Sequence, residues 1–218
     1  MTTFPGAPKT LKGGLILMDA EGKAVLRTVV FQYNPDTLAR TVAPRAAKAE
    51  SGDRLEALRL IGPPIETIKV EIELDATDRL EHPDQNPETV KNGIAPELAD
   101  LETIISPATG DVLSANRMAE IGTLEVLPLP SPLVLLVLGV GRTIPVRVTD
   151  MAVVEEAFDT QLNPVRAKVS LSLRALSTDD LPMGSKGAEL FLAHARRREQ
   201  LAARKPPNIQ ALGLKAMP

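Results

Sequence analysis

The run Thr67–Asp75 limits this chain's fold more than any other stretch: Ile68, Val70, Ile72 and Leu74 alternate without a break with Thr67, Lys69, Glu71, Glu73 and Asp75. Successive side chains of an extended strand point to opposite faces, so a period of two sorts these residues into one aliphatic face and one charged face. Wound as a helix, the same residues would be scattered around the cylinder, which excludes an amphipathic helix here. One face must meet a core; the other meets water or a wet interface. A second run, Val165–Arg174, alternates in the same way, with Val169, Leu171 and Leu173 inward and Arg166, Lys168 and Arg174 outward. These cations are a counterpart to Glu71 and Glu73, which suits pairing across strands or across subunits.

Further strands follow from the same reasoning. Gly14–Met18 and Ala24–Tyr33 flank the turn-forming Asp19-Ala20-Glu21-Gly22 and read as a hairpin. In its second arm neither face is wholly polar, so cover by protein on both sides is expected. Pro35 lacks an N–H and restricts Asn34, which ends that arm. Residues 41–61 turn to Ala, Lys, Glu, Ser and Arg and read as an exposed loop with short helix; 78–92 reads as a long polar loop. Pro96 suits a first helical position, the acidic residues after it suit a helix N-terminus, and Leu98, Leu101 and Ile105 make a stripe before Pro107 ends the run. Residues 109–125 read as surface. Leu133–Leu138 is short and wholly apolar, as in a buried strand, and Ile144, Val146 and Val148 begin another strand, with a further segment through Val153 to Phe158. From Lys186 the spacing becomes helical, with Arg196, Arg197 and Arg198 toward the C-terminal end.

Composition removes several function classes. The 218 residues carry 25 basic and 28 acidic side chains, a net charge of −3, so no global field attracts a polyanion and no specific nucleic acid is expected. There is no cysteine, hence no disulfide framework and no thiolate metal site. The aromatic set is Phe4, Phe31, Tyr33, Phe158 and Phe191, too sparse for a stacking platform. The longest apolar run is too short to span a bilayer as a helix, and the first residues lack a basic segment followed by an apolar one. No integral membrane segment is expected, and cytoplasmic synthesis without a secretion signal is.

Catalytic patterns are equally thin. Asp75, Asp78, His82 and Asp84 offer oxygen and imidazole donors without the spacing of a known metal motif, and a solvated loop is the favoured reading. His194 stands beside a basic run and reads as a helix-surface histidine. Gly139-Val140-Gly141 and Gly184-Ser185-Lys186-Gly187 lack the spacing of nucleotide-binding loops. No nucleophile elbow occurs, and two histidines leave few members for a triad. No catalytic residue, metal ligand or cofactor is expected, and the chain is read as a non-enzyme.

Several segments in order resemble a known family. Phe31-Gln32-Tyr33-Asn34-Pro35-Asp36-Thr37-Leu38, then Gly62-Pro63-Pro64-Ile65-Glu66-Thr67-Ile68 through Asp75, then Pro132–Gly139, Val146–Phe158 and Leu162-Asn163-Pro164-Val165-Arg166-Ala167 are similar to the tube-domain family of contractile injection systems, the phage-tail-like particles. The resemblance covers residues 10–176. It implies a mainly β fold with flanking helices, a β-sandwich or split β-barrel of the tail-tube type. It also implies a homo-hexameric ring at the junction of inner tube and baseplate. Partners would be the inner tube, the baseplate hub and sheath or wedge proteins, with assembly into a particle that stays in the cell or is released. Family members at this junction often carry a LysM module next; residues 177–218, with their helix and Pro206-Pro207, depart from that and read as a C-terminal helix and docking tail.

The interface candidates are Lys69, Glu71, Glu73, Arg166, Lys168 and Arg174 on the strand faces, and Ile209, Leu212 and Leu214, which a tail gains little by exposing. A monomeric β-fold binding or assembly-chaperone module is the alternative, since it would show the same alternation.

Overall fold

A computed structural model describes residues 11–46, 59–120, 131–205, 208 and 210–212. Seven strands, β1 (Gly14–Met18), β2 (Val25–Val30), β3 (Leu38–Ala43), β4 (Ile65–Asp75), β5 (Leu133–Val137), β6 (Thr143–Phe158) and β7 (Pro164–Ala175), lie in one sheet. Their order is β2-β1-β5-β6-β7-β4-β3, and every neighbouring pair is antiparallel. Among the described residues five α-helices accompany them: α1 (Thr77–Leu80), α2 (Pro87–Asn92), α3 (Ala95–Ile105), α4 (Thr109–Glu120) and α5 (Lys186–Ala202).

The expected mainly β architecture with flanking helices is present, but the two-sheet packing is not: among the described residues there is a single sheet, and it does not close into a barrel. Register explains the unbroken inner face. Ile68, Leu173 and Val148 stand in one row across β4, β7 and β6; Val70, Leu171 and Met151 form the next, and Ile72, Val169 and Val153 the third. Leu136 opposite Ile144 and Leu15 opposite Leu136 continue that face to the other end of the sheet. Instead of a second sheet, Leu98, Leu101 and Ile104 of α3 fill the concavity. The helix therefore turns Ile104 inward and leaves the expected Ile105 half exposed. Bending a sheet around a helix needs local irregularity, and β6 supplies register shifts between Val148 and Asp150 and again between Glu155 and Phe158.

Phe31, Gln32 and Asn34 hold the curl. Phe31 is 1% exposed, in the main core. Gln32, just beyond β2 at one margin, reaches the end of β4 near the other. Its side-chain carbonyl accepts the Asp75 N–H at 2.9 Å and its amide donates to the Asp75 carbonyl at 2.7 Å. One side chain thus completes the two-bond pattern that a neighbouring strand would make, without a ladder. Asn34 accepts the Gly13 N–H at 2.8 Å and donates to the Leu11 carbonyl at 2.9 Å, so it ties down the chain entering β1.

Several sequence expectations change. Residues 38–43, partly assigned to a loop, form β3, because Leu38 pairs with Val70 and Arg40 with Ile68 on the sheet margin. The polar stretch 78–92 holds α1, a 3-10 turn at Pro83–Gln85 and α2, rather than open loop. At its end Gly93 takes φ 59°, and a Cβ there would stand 2.0 Å from the Pro164 carbonyl oxygen, so only glycine fits against the β6–β7 hairpin. Residues 109–120 form α4, which buries no side chain. Strand β2 is not covered on both sides: Val25, Leu26 and Val30 are 60, 62 and 57% exposed. Helix α5 follows the body, its N-terminus capped by Ser185, whose hydroxyl accepts the Ala188 N–H. Its start packs over Leu133, Leu135 and Leu176 on the outer face of the sheet, with Ile16, Met18, Leu181 and Leu190 around them.

Candidate interaction surface

The outer faces of β4, β7 and β6 form one charged surface. Register places Lys69 opposite Ser172, Glu71 opposite Ser170, Glu73 opposite Lys168 and Asp75 opposite Arg166. The cations of β7 are therefore paired across strands within the chain. Arg166 meets Asp75 at 2.8 Å, and Lys168 lies 3.9 Å from Glu73 and 3.3 Å from Glu156 on β6. Arg174 instead turns to Asp180, at 2.8 Å, beyond the sheet end. Of the candidates on this face, Lys69 and Glu71 alone make no ion pair among the described residues.

The electrostatics follow from these contacts. Partial burial pushes the Asp75 carboxyl up, but bonds from the Thr77 hydroxyl and N–H and from Arg166 outweigh it and hold the group below its usual value. A hydrogen bond to Glu156, with the charges of Glu156 and Glu73, raises Lys168. Because opposite charges meet along the strands, the surface is wet and internally compensated, which suits a hydrated wall better than a site that captures one charged ligand. Solvent screens exposed ion pairs of this kind, so they add little to stability.

The margins of the sheet are different. Strands β2 and β3 each pair on one side only among the described residues. Edge strands are usually blunted by lysine or proline, and neither occurs in VLRTVV or LARTVA. The single charge in each is drawn toward its own chain. Arg27 pairs with Asp100 at 3.0 Å and bonds Thr103 on α3, and Arg40 pairs with Glu66 at 2.7 Å. Beside the exposed Thr28 and Thr41, the margins present apolar side chains: Val25, Leu26 and Val30 on β2, and Val42, 45% exposed, on β3. At the β6–β7 tip Phe158 and Leu162 are also exposed.

Two further features escaped the sequence reading. Glu66, at the start of β4, is only 4% exposed and is bridged by Arg40 and by Arg198 of α5, the latter at 3.0 Å. His194, expected on the helix surface, is instead partly buried, and neither ring nitrogen has a hydrogen-bond partner among the described residues. Sequence spacing reveals neither, because Glu66 is neutralised by arginines far along the chain and the His194 environment is assembled around the same group. An open groove of about 930 Å³ runs between the β1–β2 hairpin and the α3–α4 junction, lined by Leu17, Leu26, Ile104, Ile105, Pro107 and Pro132 among others.

Among the described residues no three His, Asp or Glu side chains converge as a metal site; Asp75 is engaged by Thr77 and Arg166. No described helix is long and apolar enough to cross a membrane. Ile209, Leu214 and the side chain of Leu212 lie outside the described residues. No protein-family model matches the chain, and no curated protein matches it either.

Proposed function

We propose that this chain is a structural, non-enzymatic ring subunit of a contractile, phage-tail-like injection particle, set where the inner tube meets the baseplate. The observation that supports assembly most strongly is the open sheet, whose two margins expose Val25, Leu26, Val30 and Val42 while their only charges are already paired within the chain. An unprotected apolar margin is a template for pairing with another chain, and a closed ring removes every margin at once. Seven antiparallel strands make β2 and β3 run the same way, so a β2–β3 contact between successive copies is parallel and heterologous, the type that generates rings. The charged face of β4, β7 and β6 then lines a hydrated lumen or an intersubunit seam. The six-fold count, the tail-tube architecture and the partners rest on the ordered sequence resemblance. Synthesis is in the cytoplasm, and no metal or cofactor takes part.

The test is the pair Val30→Lys and Val42→Lys, one on each margin, made singly and together. Both sites are about half exposed, so the folded body keeps its circular dichroism spectrum. Incorporation into purified particles, measured by quantitative immunoblot, falls in each. Normal incorporation of the double variant contradicts the proposal. The groove beside α3 favours a second reading, a monomeric module that binds a peptide or chaperones assembly; that reading predicts unchanged behaviour of both margin variants and loss of binding on Leu26→Asp.

A further inference from the structure

The buried contacts of α5 end early. Gly187, Ala188 and Phe191 are the buried residues of this helix, all in its first two turns. Beyond them its hold on the body is polar. Arg198 reaches Glu66 on β4, and the Arg197 guanidinium lies directly over Gly141 in the β5–β6 turn. His194 sits one turn before Arg198, at the start of this second half.

The surroundings of the imidazole are unusual for a histidine near a carboxylate. Its two nitrogens are sealed from water and neither is hydrogen-bonded among the described residues. The charged groups that act on it are Arg198 on its own helix, Glu66 on β4, Arg40 on β3 and Arg142 in the β5–β6 turn. Three are cations. The one anion, Glu66, already accepts from Arg40 at 2.7 Å and from Arg198 at 3.0 Å, so it has little to offer a third donor. A neutral imidazole fits this place as a packing group; an imidazolium adds a fourth positive charge with no acceptor and no water.

We propose that the second half of α5, from His194 onward, is an acid-released latch, docked on the body while His194 is neutral and undocked once it takes a proton. Such a latch governs whatever the chain beyond α5 engages, and it stands independently of the ring reading. Its direction follows from linkage. Burial first, and then Arg198, lower the docked pKa below the ordinary 6.5. Docking is therefore strongest above pH 6.5, weakens as pH falls below that value, and levels off once the docked histidine also titrates. With one proton involved, the undocked-to-docked ratio rises by at most about tenfold per pH unit.

The absence of cysteine allows a clean distance measurement on the full chain. Ala39→Cys on β3 and Ala203→Cys after α5, both exposed positions, carry nitroxide labels for double electron–electron resonance. The expected result is one narrow distance at pH 7.5 and a growing broad component by pH 5.5, tracking the titration of the His194 ring followed by NMR in the same protein. His194→Phe, which fills the space without a titratable nitrogen, stays narrow at both values, whereas His82→Gln, at an exposed site beyond the far end of β4, behaves as the parent does. An unchanged distance at pH 5.5, or release whose midpoint departs from the His194 titration, overturns the proposal. Equal acid release in His194→Phe does the same. If His194→Phe is already broad at pH 7.5, the comparison of release with His194 titration in the parent decides.

Discussion

Gln32 offers the sharpest test of how the sheet is kept curled. Its amide makes two bonds to the backbone of Asp75, at 2.7 and 2.9 Å, and joins the segment after β2 to the end of β4. A net hydrogen bond contributes roughly 0.5–1.5 kcal/mol, so the pair is worth about 1–3 kcal/mol. The site is only partly buried and water can replace part of the loss, which places Gln32→Ala at about 1–2 kcal/mol. Gln32→Glu separates the two bonds: the carboxylate still accepts the Asp75 N–H but cannot donate to the Asp75 carbonyl, and it lies near the Asp75 carboxylate. It is expected to cost at least as much as alanine. Urea titration followed by far-UV circular dichroism gives the free energies, and amide exchange at Asp75 reports the clasp directly. A Gln32→Ala protein within about 0.5 kcal/mol of the parent, a change typical of a neutral surface site, with unaltered exchange at Asp75, refutes the role assigned to this side chain.

Gly93→Ala must place a methyl group against the Pro164 carbonyl at a φ of 59°, and is expected to destabilise by about 1–3 kcal/mol and to loosen the α2–α3 junction, read by thermal melting and by exchange at Ile94. Asp75 is held below its ordinary value of 3.8, so its contribution is present above that pH and is lost as pH falls through the lower, folded value; Asp75→Asn removes this acid-dependent part, about 0–1 kcal/mol for so exposed a pair, in melts between pH 5 and pH 2. Replacing Ile209, Leu212 and Leu214 together with Ser is expected to leave the body folded by circular dichroism while lowering incorporation into particles, since each side chain buried at an interface contributes roughly 1.5–3 kcal/mol; normal incorporation sinks the docking-tail reading.

The strands that could be read in advance were those whose pattern is local. In β4 and β7, alternation alone assigned the inward side chains, and the opposite charges of their outer faces suggested pairing across strands or across subunits; the structure places Glu73 opposite Lys168 within the chain. β3 was obscured because Arg40 and Thr41 look polar by themselves. Their place is decided by β4, where Glu66 neutralises Arg40. The short helices between Thr77 and Asn92 were hidden by Pro83 and Pro87, which read as breakers but here begin a 3-10 turn and α2. One sheet rather than two was also out of reach, because the choice depends on α3 filling the concavity and on Gln32 spanning from β2 to β4. The interaction surface was half legible: the charged faces carried a period, whereas the apolar margins acquire meaning only once β2 and β3 are known to be the outermost strands.

The ring assignment is tested most directly by electron microscopy of purified injection particles carrying a label at the C-terminus of this chain. The account predicts label density in a single ring of six copies at the junction of inner tube and baseplate. Particles complete in tube, sheath and baseplate but lacking the label, or holding it at scattered positions without rotational order, contradict it.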